Sequence, residues 1–201
     1  MKKILYSVLI ILGSFTFSQG QVRLGVQAGG QSSTIRLSES LLTSGVANIE
    51  GDARIGIHVG AFLDLPFGKK ASLRPQILYS SKGFKSNSTS ETVSVNYLHI
   101  PIDLVFKSEV GAGSFFIGGG GYFSNALNGK SGSESLKFGS TAQSDLKESD
   151  YGVRVTTGYE TEFGLGIVLF YEYGLANINP ISGYNLQNRT VGLTLQYALV
   201  P

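Results

Sequence analysis

The chain has 201 residues, 27 of them glycine, with 42% apolar and only 15% charged residues. That is one domain's length, and too apolar for a disordered chain. The absence of cysteine excludes a disulfide framework, a thiolate zinc site, a cysteine nucleophile and a lipid-modified N-terminal cysteine, and the formal charge of only +2 leaves no basic bias for nucleic acid.

Met1-Lys2-Lys3 is a basic start, Ile4 to Phe17 is an apolar run, and Ser18-Gln19-Gly20 offers small residues where a signal peptidase reads. The pattern predicts a secretory leader over residues 1–20, cleaved before Gln21, with the domain over 21–201. About 14 apolar residues fall short of the roughly 20 a spanning helix needs. Removing Lys2 and Lys3 takes the formal charge from +2 to 0. No later apolar stretch reaches helical spanning length, so any insertion into a membrane is by strands.

The rest of the chain reads in steps of two, the period of a strand. The first strand, Val22 to Thr34, sets Val22, Leu24, Val26 and Ala28 against Arg23, Gly25, Gln27 and Gly29. A polar stretch from Ser32 to Asp52 follows and reads as an exposed loop. The second strand, Ala53 to Leu65, opposes Ile55, Ile57, Val59, Ala61, Leu63 and Leu65 to Arg54, Gly56, His58, Gly60, Phe62 and Asp64. Residues 66–70 make a short turn. The third strand, Ala71 to Phe84, puts Leu73, Ile77 and Tyr79 opposite Ser72, Arg74, Gln76, Ser80 and Lys82. Its Pro75 predicts a bulge or irregular pairing.

After the Ser- and Asn-rich loop Lys85 to Glu91 comes the fourth strand, Thr92 to Lys107. Leu98, Ile100, Ile102, Leu104 and Phe106 take one face, and Tyr97, His99, Asp103 and Lys107 the other; Pro101 predicts a second bulge. A turn over Ser108 to Gly113 leads to the fifth strand, Ser114 to Leu127, where Gly118 to Gly121 erases the periodicity and leaves the faces unassigned. Asn128 to Lys147 reads as the longest loop. The sixth strand, Glu148 to Glu160, opposes Tyr151, Val153, Val155 and Tyr159 to Asp150, Arg154 and Glu160. The seventh, Gly164 to Ala176, is the most telling. Leu165, Ile167, Leu169, Tyr171, Tyr173 and Leu175 form one large apolar face, and Gly164, Gly166, Val168, Phe170, Glu172, Gly174 and Ala176 the other. A polar loop, Asn177 to Gln187, precedes the eighth strand, Asn188 to Leu199.

One apolar face and one glycine-rich, occasionally charged face describe lipid outside and a crowded polar lumen inside. Connections alternate long and short, as in a transmembrane barrel of even strand number with its termini on the periplasmic side. The expectation is an all-β, eight-stranded antiparallel up-and-down transmembrane barrel, its interior narrow enough for side chains to fill.

Several stretches resemble the PorT-type outer-membrane β-barrel family. They include Gly25-Val26-Gln27-Ala28-Gly29, Gly60-Ala61-Phe62, the P-Q-x-x-Y-S-x-K-G element from Pro75 to Gly83, and Tyr97-Leu98-His99-Ile100-Pro101. Gly118 to Gly121, Tyr173 to Ile178 and Asn188 to Tyr197 continue the likeness over nearly the whole mature chain. The resemblance implies an outer-membrane barrel exported through the secretory pathway of a Gram-negative envelope, and carries no active site to transfer.

The inward charges are Arg54, Asp64, Arg74, Lys82, Asp103, Lys107, Asp150, Arg154, Glu160 and Glu172, with His58 among them. Signs are balanced, and buried charge needs partners. The expectation is a structural lumen network; the alternative is a path for protons or small solutes. Outward Tyr79, Tyr151, Tyr159, Tyr171, Tyr173 and Tyr197 suit interfacial girdles, with Tyr97 joining only if a bulge turns it. His58 and His99 cannot form a three-histidine site, no serine stands out as an activated partner, and Gly118 to Gly121 lacks the Gly-Lys-Ser/Thr of a phosphate loop. No catalytic residue, metal or cofactor is expected.

The function expected is a structural or interaction protein acting through exposed loops, by family analogy in secretion or envelope assembly. Its partners would be the outer-membrane bilayer, the barrel-assembly machinery and an unidentified extracellular or periplasmic protein. Alternatives are a secreted lipocalin-like carrier, which would keep charges outside and apolar residues within, and an outer-membrane lipid-modifying enzyme.

Overall fold

The computed structural model describes residues 21–39, 48–50, 52–85, 91–141, 143–181 and 184–199. The expected leader, most of the connection up to Asp52 and the loop 86–90 lie outside the described residues. The strands are β1 (Arg23–Glu39), β2 (Asn48–Glu50), β3 (Asp52–Pro66), β4 (Ala71–Lys85), β5 (Thr92–Glu109), β6 (Gly113–Ser131), β7 (Glu134–Ser135), β8 (Ser149–Thr161), β9 (Leu165–Gly174) and β10 (Tyr184–Ala198). Eight of them pair in the order β10-β9-β8-β6-β5-β4-β3-β1, and β10 pairs β1 to close an antiparallel barrel. The short β2 and β7 extend β1 and β6 at one end. Closure leaves the eight-stranded wall without a free edge, which a hydrocarbon environment demands.

The turns at the other end are tight. Each carries one glycine in the left-handed region, Gly68 (φ 80°), Gly111 (φ 62°) and Gly164 (φ 83°), where a Cβ would be strained. This short-turn end also holds Arg23 and Ala198, the first and last residues of the wall.

Two expectations about irregularities change. Pro75 and Pro101 do not shift the register: Arg74↔Asp103 and Leu78↔His99 belong to one continuous β4–β5 alignment, and Pro101 stands opposite Tyr122 on β6. Each proline withholds a donor locally without inserting a residue. The true irregularities lie nearer the long-loop end. One falls in β3–β4 between Ala53 and His58. The other falls in β5–β6, where Tyr97 opposes Ala126 but Asn96 opposes Asn128, so Leu127 is the extra residue.

Several segments read as loop are strand, β2 and β7 among them. β1 continues to Glu39, paired with Tyr184, so Ser32 to Glu39 belong to the wall, and β10 begins at Tyr184 rather than Asn188. β6 runs on to Ser131 and returns through Gly132 into β7. The remainder of Asn128 to Lys147 folds back, with a bridge between Phe138 and Leu146 and the Lys147 N–H donating to the Ile178 carbonyl (2.9 Å). The glycine run also resolves. Phe115, Ile117 and Phe123 are exposed on the outer face, while Phe116, Tyr122 and Ser124 are buried within.

Crossing a bilayer takes roughly 9–11 residues of tilted strand. β5 and β6, at 18 and 19 residues, overshoot that length at the long-loop end.

Candidate functional site

The interior is built in tiers. At the short-turn end Asp64 gathers three cations. Arg23 reaches it at 2.6 Å, Arg74 at 3.2 Å, and Lys107 also pairs with it. Arg23 spans to Glu160 at 2.7 Å, and Gln196 donates to the same carboxylate at 2.8 Å. Above this, a polar bridge crosses the lumen: Gln27 donates to Gln76 (2.6 Å), and Gln76 donates to Asp103 (2.8 Å).

The middle tier centres on Glu172, which is fully buried. It accepts from Arg154 at 2.7 Å and Lys82 at 2.8 Å, and lies 2.9 Å from His99 Nε2. Arg154 also approaches Asp103 at 3.2 Å. His58 sits beside this tier against Thr194 (2.8 Å) and the edge of Phe170. Asp150 forms the next tier, accepting from Asn188 at 3.0 Å and Tyr122 at 3.3 Å.

Aromatic rings separate the charges. The Arg74 guanidinium lies between Phe62 and Phe116, 4.9 Å from each centroid; Arg154 lies 4.1 Å over Phe170, and the Lys82 ammonium 4.6 Å over Tyr122. Such cation–ring contacts stabilise charges that water cannot reach. The rings fit because each faces a glycine directly across the ladder: Phe62 opposite Gly25, Phe116 and Tyr122 opposite Gly158 and Gly152, Phe170 opposite Gly192. A Cβ on Gly25 would fall 2.2 Å from the Phe62 ring, and one on Gly192 2.4 Å from that of Phe170. Part of the chain's glycine content is therefore room for lumen rings.

The cavity left between Gln27, Arg74, Asp103, Arg154 and Gln196 measures about 10 Å³, the space of a single water. Apolar cargo has no room there, and the surrounding groups are polar. The carrier alternative fails on both counts.

Of the residues singled out in the sequence, Asp64, Arg74, Lys82, Asp103, Lys107, Arg154, Glu160 and Glu172 join by ion pairs, while Asp150 is held by Asn188 and Tyr122 and His58 by Thr194. Arg54 does not join them. Beside the β3–β4 irregularity it donates to Ser81 Oγ (3.2 Å) and to the Lys82 carbonyl (3.3 Å). Its stem crosses Gly83 towards the outer side of β5. The lumen network expected from the sequence leaves out Arg23, the glutamines and His99, although alternation puts each on the inward face and His99 is weighed beside His58 as a site residue. His99 holds Ser124 Oγ at 2.7 Å through Nδ1 while Nε2 faces Glu172, a serine–histidine–carboxylate chain that spacing along three different strands gave no means of seeing.

The outer wall is uncovered and apolar all round. Ile57, Val59, Ile77, Ile102, Ile117, Val155, Ile167, Leu169 and Leu193 are all exposed. A contiguous apolar surface of this extent belongs against lipid. Tyr159 and Tyr197 lie near the short-turn end, with the Tyr159 hydroxyl donating to the Val110 carbonyl at 3.0 Å. Tyr79, Tyr151 and Tyr173 lie farther up, and Tyr171 stands between the two levels. Tyr97 is buried inside.

Toward the long-loop end the polarity reverses. Ile35, Val95, Tyr97, Leu146, Ala176, Ile178 and Leu186 form a buried apolar cluster, against which Phe84, Val93, Leu136 and Phe138 pack. The outward positions of β5 there are Ser94 and Asn96. The folded-back segment thus closes the barrel mouth.

Comparison with known proteins agrees with this architecture. A family described as outer membrane protein beta-barrel domain matches residues 17–179. Outer membrane protein OprG from Pseudomonas aeruginosa superposes with a TM-score of 0.54 at 11% identity, over 91% of this chain and 99% of OprG. Neisserial surface protein A gives 0.51 at 13% identity, over 89% of this chain and 99% of its own. At such identities the likeness concerns the fold alone. No curated protein sequence matches. With a closed barrel, an apolar exterior and a family match over most of its length, the chain belongs to the outer membrane protein beta-barrel domain family.

Proposed function

We propose that this outer-membrane barrel is a structural and interaction protein rather than a pore, anchored by its wall and presenting its long-loop end to a partner. The observation that carries the reading is the filled interior: buried, paired charges that leave about 10 Å³ between Gln27, Arg74, Asp103, Arg154 and Gln196, capped by an apolar plug. By the orientation rule for such barrels the long-loop end faces outside. There a cleft of about 520 Å³ between Ser140, Lys147, Tyr151 and Asn177 gives a partner mixed polar and aromatic surface. Reconstituted into planar bilayers, the protein is expected to show no steady conductance; a reproducible ohmic current would sink the reading.

The likeness to PorT-type barrels, strongest over Pro75 to Gly83 and Tyr97 to Pro101, supports a role in secretion or envelope assembly, with export through the secretory pathway and insertion by the barrel-assembly machinery. Deletion of the gene is expected to change the set of exported or surface proteins. An unchanged secreted and surface proteome would remove that role and leave the anchor.

One observation favours a second reading. Ser124, His99 and Glu172 are connected as in a nucleophilic triad. Against it, Ser124 is completely buried, and Glu172 is shared with Lys82 and Arg154. A fluorophosphonate probe that labels the folded barrel, and fails on Ser124→Ala, would establish the enzyme. Absence of labelling keeps the triad structural.

A further inference from the structure

We infer that the outer face of the β3–β4–β5–β6 wall carries a binding shelf for a phosphate-bearing lipid headgroup, built by Arg54 and Lys130. The inference rests on reading the apolar wall as the membrane surface.

The shelf is a depression of about 260 Å³ lined by Arg54, Ser94, Asn96, Asn128 and Lys130, with Thr92 at its edge. It faces outward: Ser94 and Asn96 alternate along β5 with Val93 and Val95, which pack into the interior cluster. Its lining holds two cations and no carboxylate. Lys130 is exposed and forms no ion pair among the described residues. The carboxylate of Glu91, which precedes β5, stands at the rim, 3.9 Å from where a Gly132 Cβ would lie, and is engaged by Ser131 Oγ at 3.2 Å. The Asn96 amide donates to Asn128 Oδ1 at 2.7 Å, which leaves the Asn128 amide N–H groups to point elsewhere.

Arg54 is held for this task. An inward arginine would have met the lumen cations. Instead the irregularity at Ala53–His58 and the missing side chain at Gly83, where a Cβ would fall 3.0 Å from Arg54 Cδ, let the chain cross to the outside. Bonds from Nη1 to Ser81 and Lys82 fix the guanidinium. A fixed guanidinium with a nearby ammonium and amide and hydroxyl donors suits a multiply charged oxyanion.

The height selects the source. Exposed Leu98 and Leu127 mark the top of the apolar band. Asn96 and Asn128 stand immediately above them, where acyl chains give way to headgroups. A lipid whose chains lie on the wall brings its phosphate to this level; a free anion has no reason to choose it.

The test uses the full mature barrel, purified in detergent and titrated by native mass spectrometry. The probes are bisphosphorylated lipid A, the same lipid dephosphorylated, and inorganic phosphate. Wild type is expected to retain the bisphosphorylated lipid, and the R54Q/K130Q variant to bind it about tenfold more weakly, as the loss of charge-assisted hydrogen bonds implies. The dephosphorylated lipid is expected to bind both proteins alike at the weaker level. Equal binding of the phosphorylated lipid by wild type and variant overturns the shelf. Binding of inorganic phosphate, with lipid chains adding nothing, overturns the headgroup assignment. Neither result touches the membrane reading, which falls only if wild type stays soluble without detergent. Asn128→Asp, which adds repulsion and removes no cation, must reproduce the loss while the heat-induced gel shift of the folded barrel persists.

Discussion

The lower barrel and the long-loop end solve the same packing problem with opposite signs. Below, leucine, isoleucine and valine face out, and Asp64, Glu160, Asp103 and Glu172 are buried with their cations. Above, Val95, Tyr97, Ile178 and Leu186 are buried, and Ser94, Asn96 and Lys130 line the outside. The same strands pass through both regions, and β5 changes character between Leu98 and Asn96. Solvent explains the difference. Where lipid surrounds the wall, apolar contact outside is favourable and the lumen must satisfy its own polar groups. Where water surrounds it, the ordinary arrangement returns and apolar burial is the driving force.

If that contrast is right, the largest loss comes from breaking charge in the lower lumen. Glu172→Ala leaves Lys82, Arg154 and His99 facing one another without their shared carboxylate. Removing one partner of a buried ion pair costs about 3–5 kcal/mol. Urea unfolding in detergent, read by the heat-modifiable gel shift, is expected to move by that amount. A change below about 1 kcal/mol would mean that water already penetrates the lumen.

The next effect separates the regions on their outer faces. Lysine at Val155, exposed on the wall and directly across from Tyr171 between the two tyrosine levels, is expected to cost about 2–4 kcal/mol near the bilayer midplane. Lysine at Ser94, on the same side of the wall but above the band, is expected to stay within about 0.5 kcal/mol. Equal costs measured in lipid vesicles would erase the proposed boundary between Leu98 and Asn96.

Much of the lower barrel was legible because period-two alternation is strong where every outward residue must be apolar. Val153, Val155, Ile167 and Leu193 could be placed by counting, and so could Glu172 opposite them. Legibility fails where that rule stops. Arg54 has the right parity for the lumen, and only the β3–β4 irregularity sends it elsewhere. Gly118 to Gly121 puts glycine on both faces, so no period survives. Leu136, Phe138 and Leu146 are single apolar residues in a Ser- and Gly-rich segment. Their isolation was the available clue to a plug, but nothing local specified the cluster they join across the mouth. The ion pairs were hidden differently: alternation gives the face, while partners such as Lys82 and Glu172, on β4 and β9, meet only once the barrel closes.

The smallest effect probes how the lower lumen accommodates its rings. Gly25 and Phe62 face each other across β1 and β3, and the three atoms nearest a Gly25 Cβ all belong to the Phe62 ring. Gly25→Ala must push that ring toward Arg74, 4.9 Å from its centroid, and onto the opposing Phe116 beyond it. Overpacking of this kind costs about 1–3 kcal/mol. Because Gly25 lies outside the left-handed region, alanine strains no backbone there, and the whole cost should pass through the ring. Phe62→Leu makes room, so Gly25→Ala in that background is expected to cost nothing further. The cycle would then report a coupling equal to the single-mutant loss. If both backgrounds lose the same stability, the glycine serves strand geometry and not the ring. The lumen would then be ordered by its ion pairs alone, with the aromatic rings filling leftover space rather than fixing where Arg74 can stand.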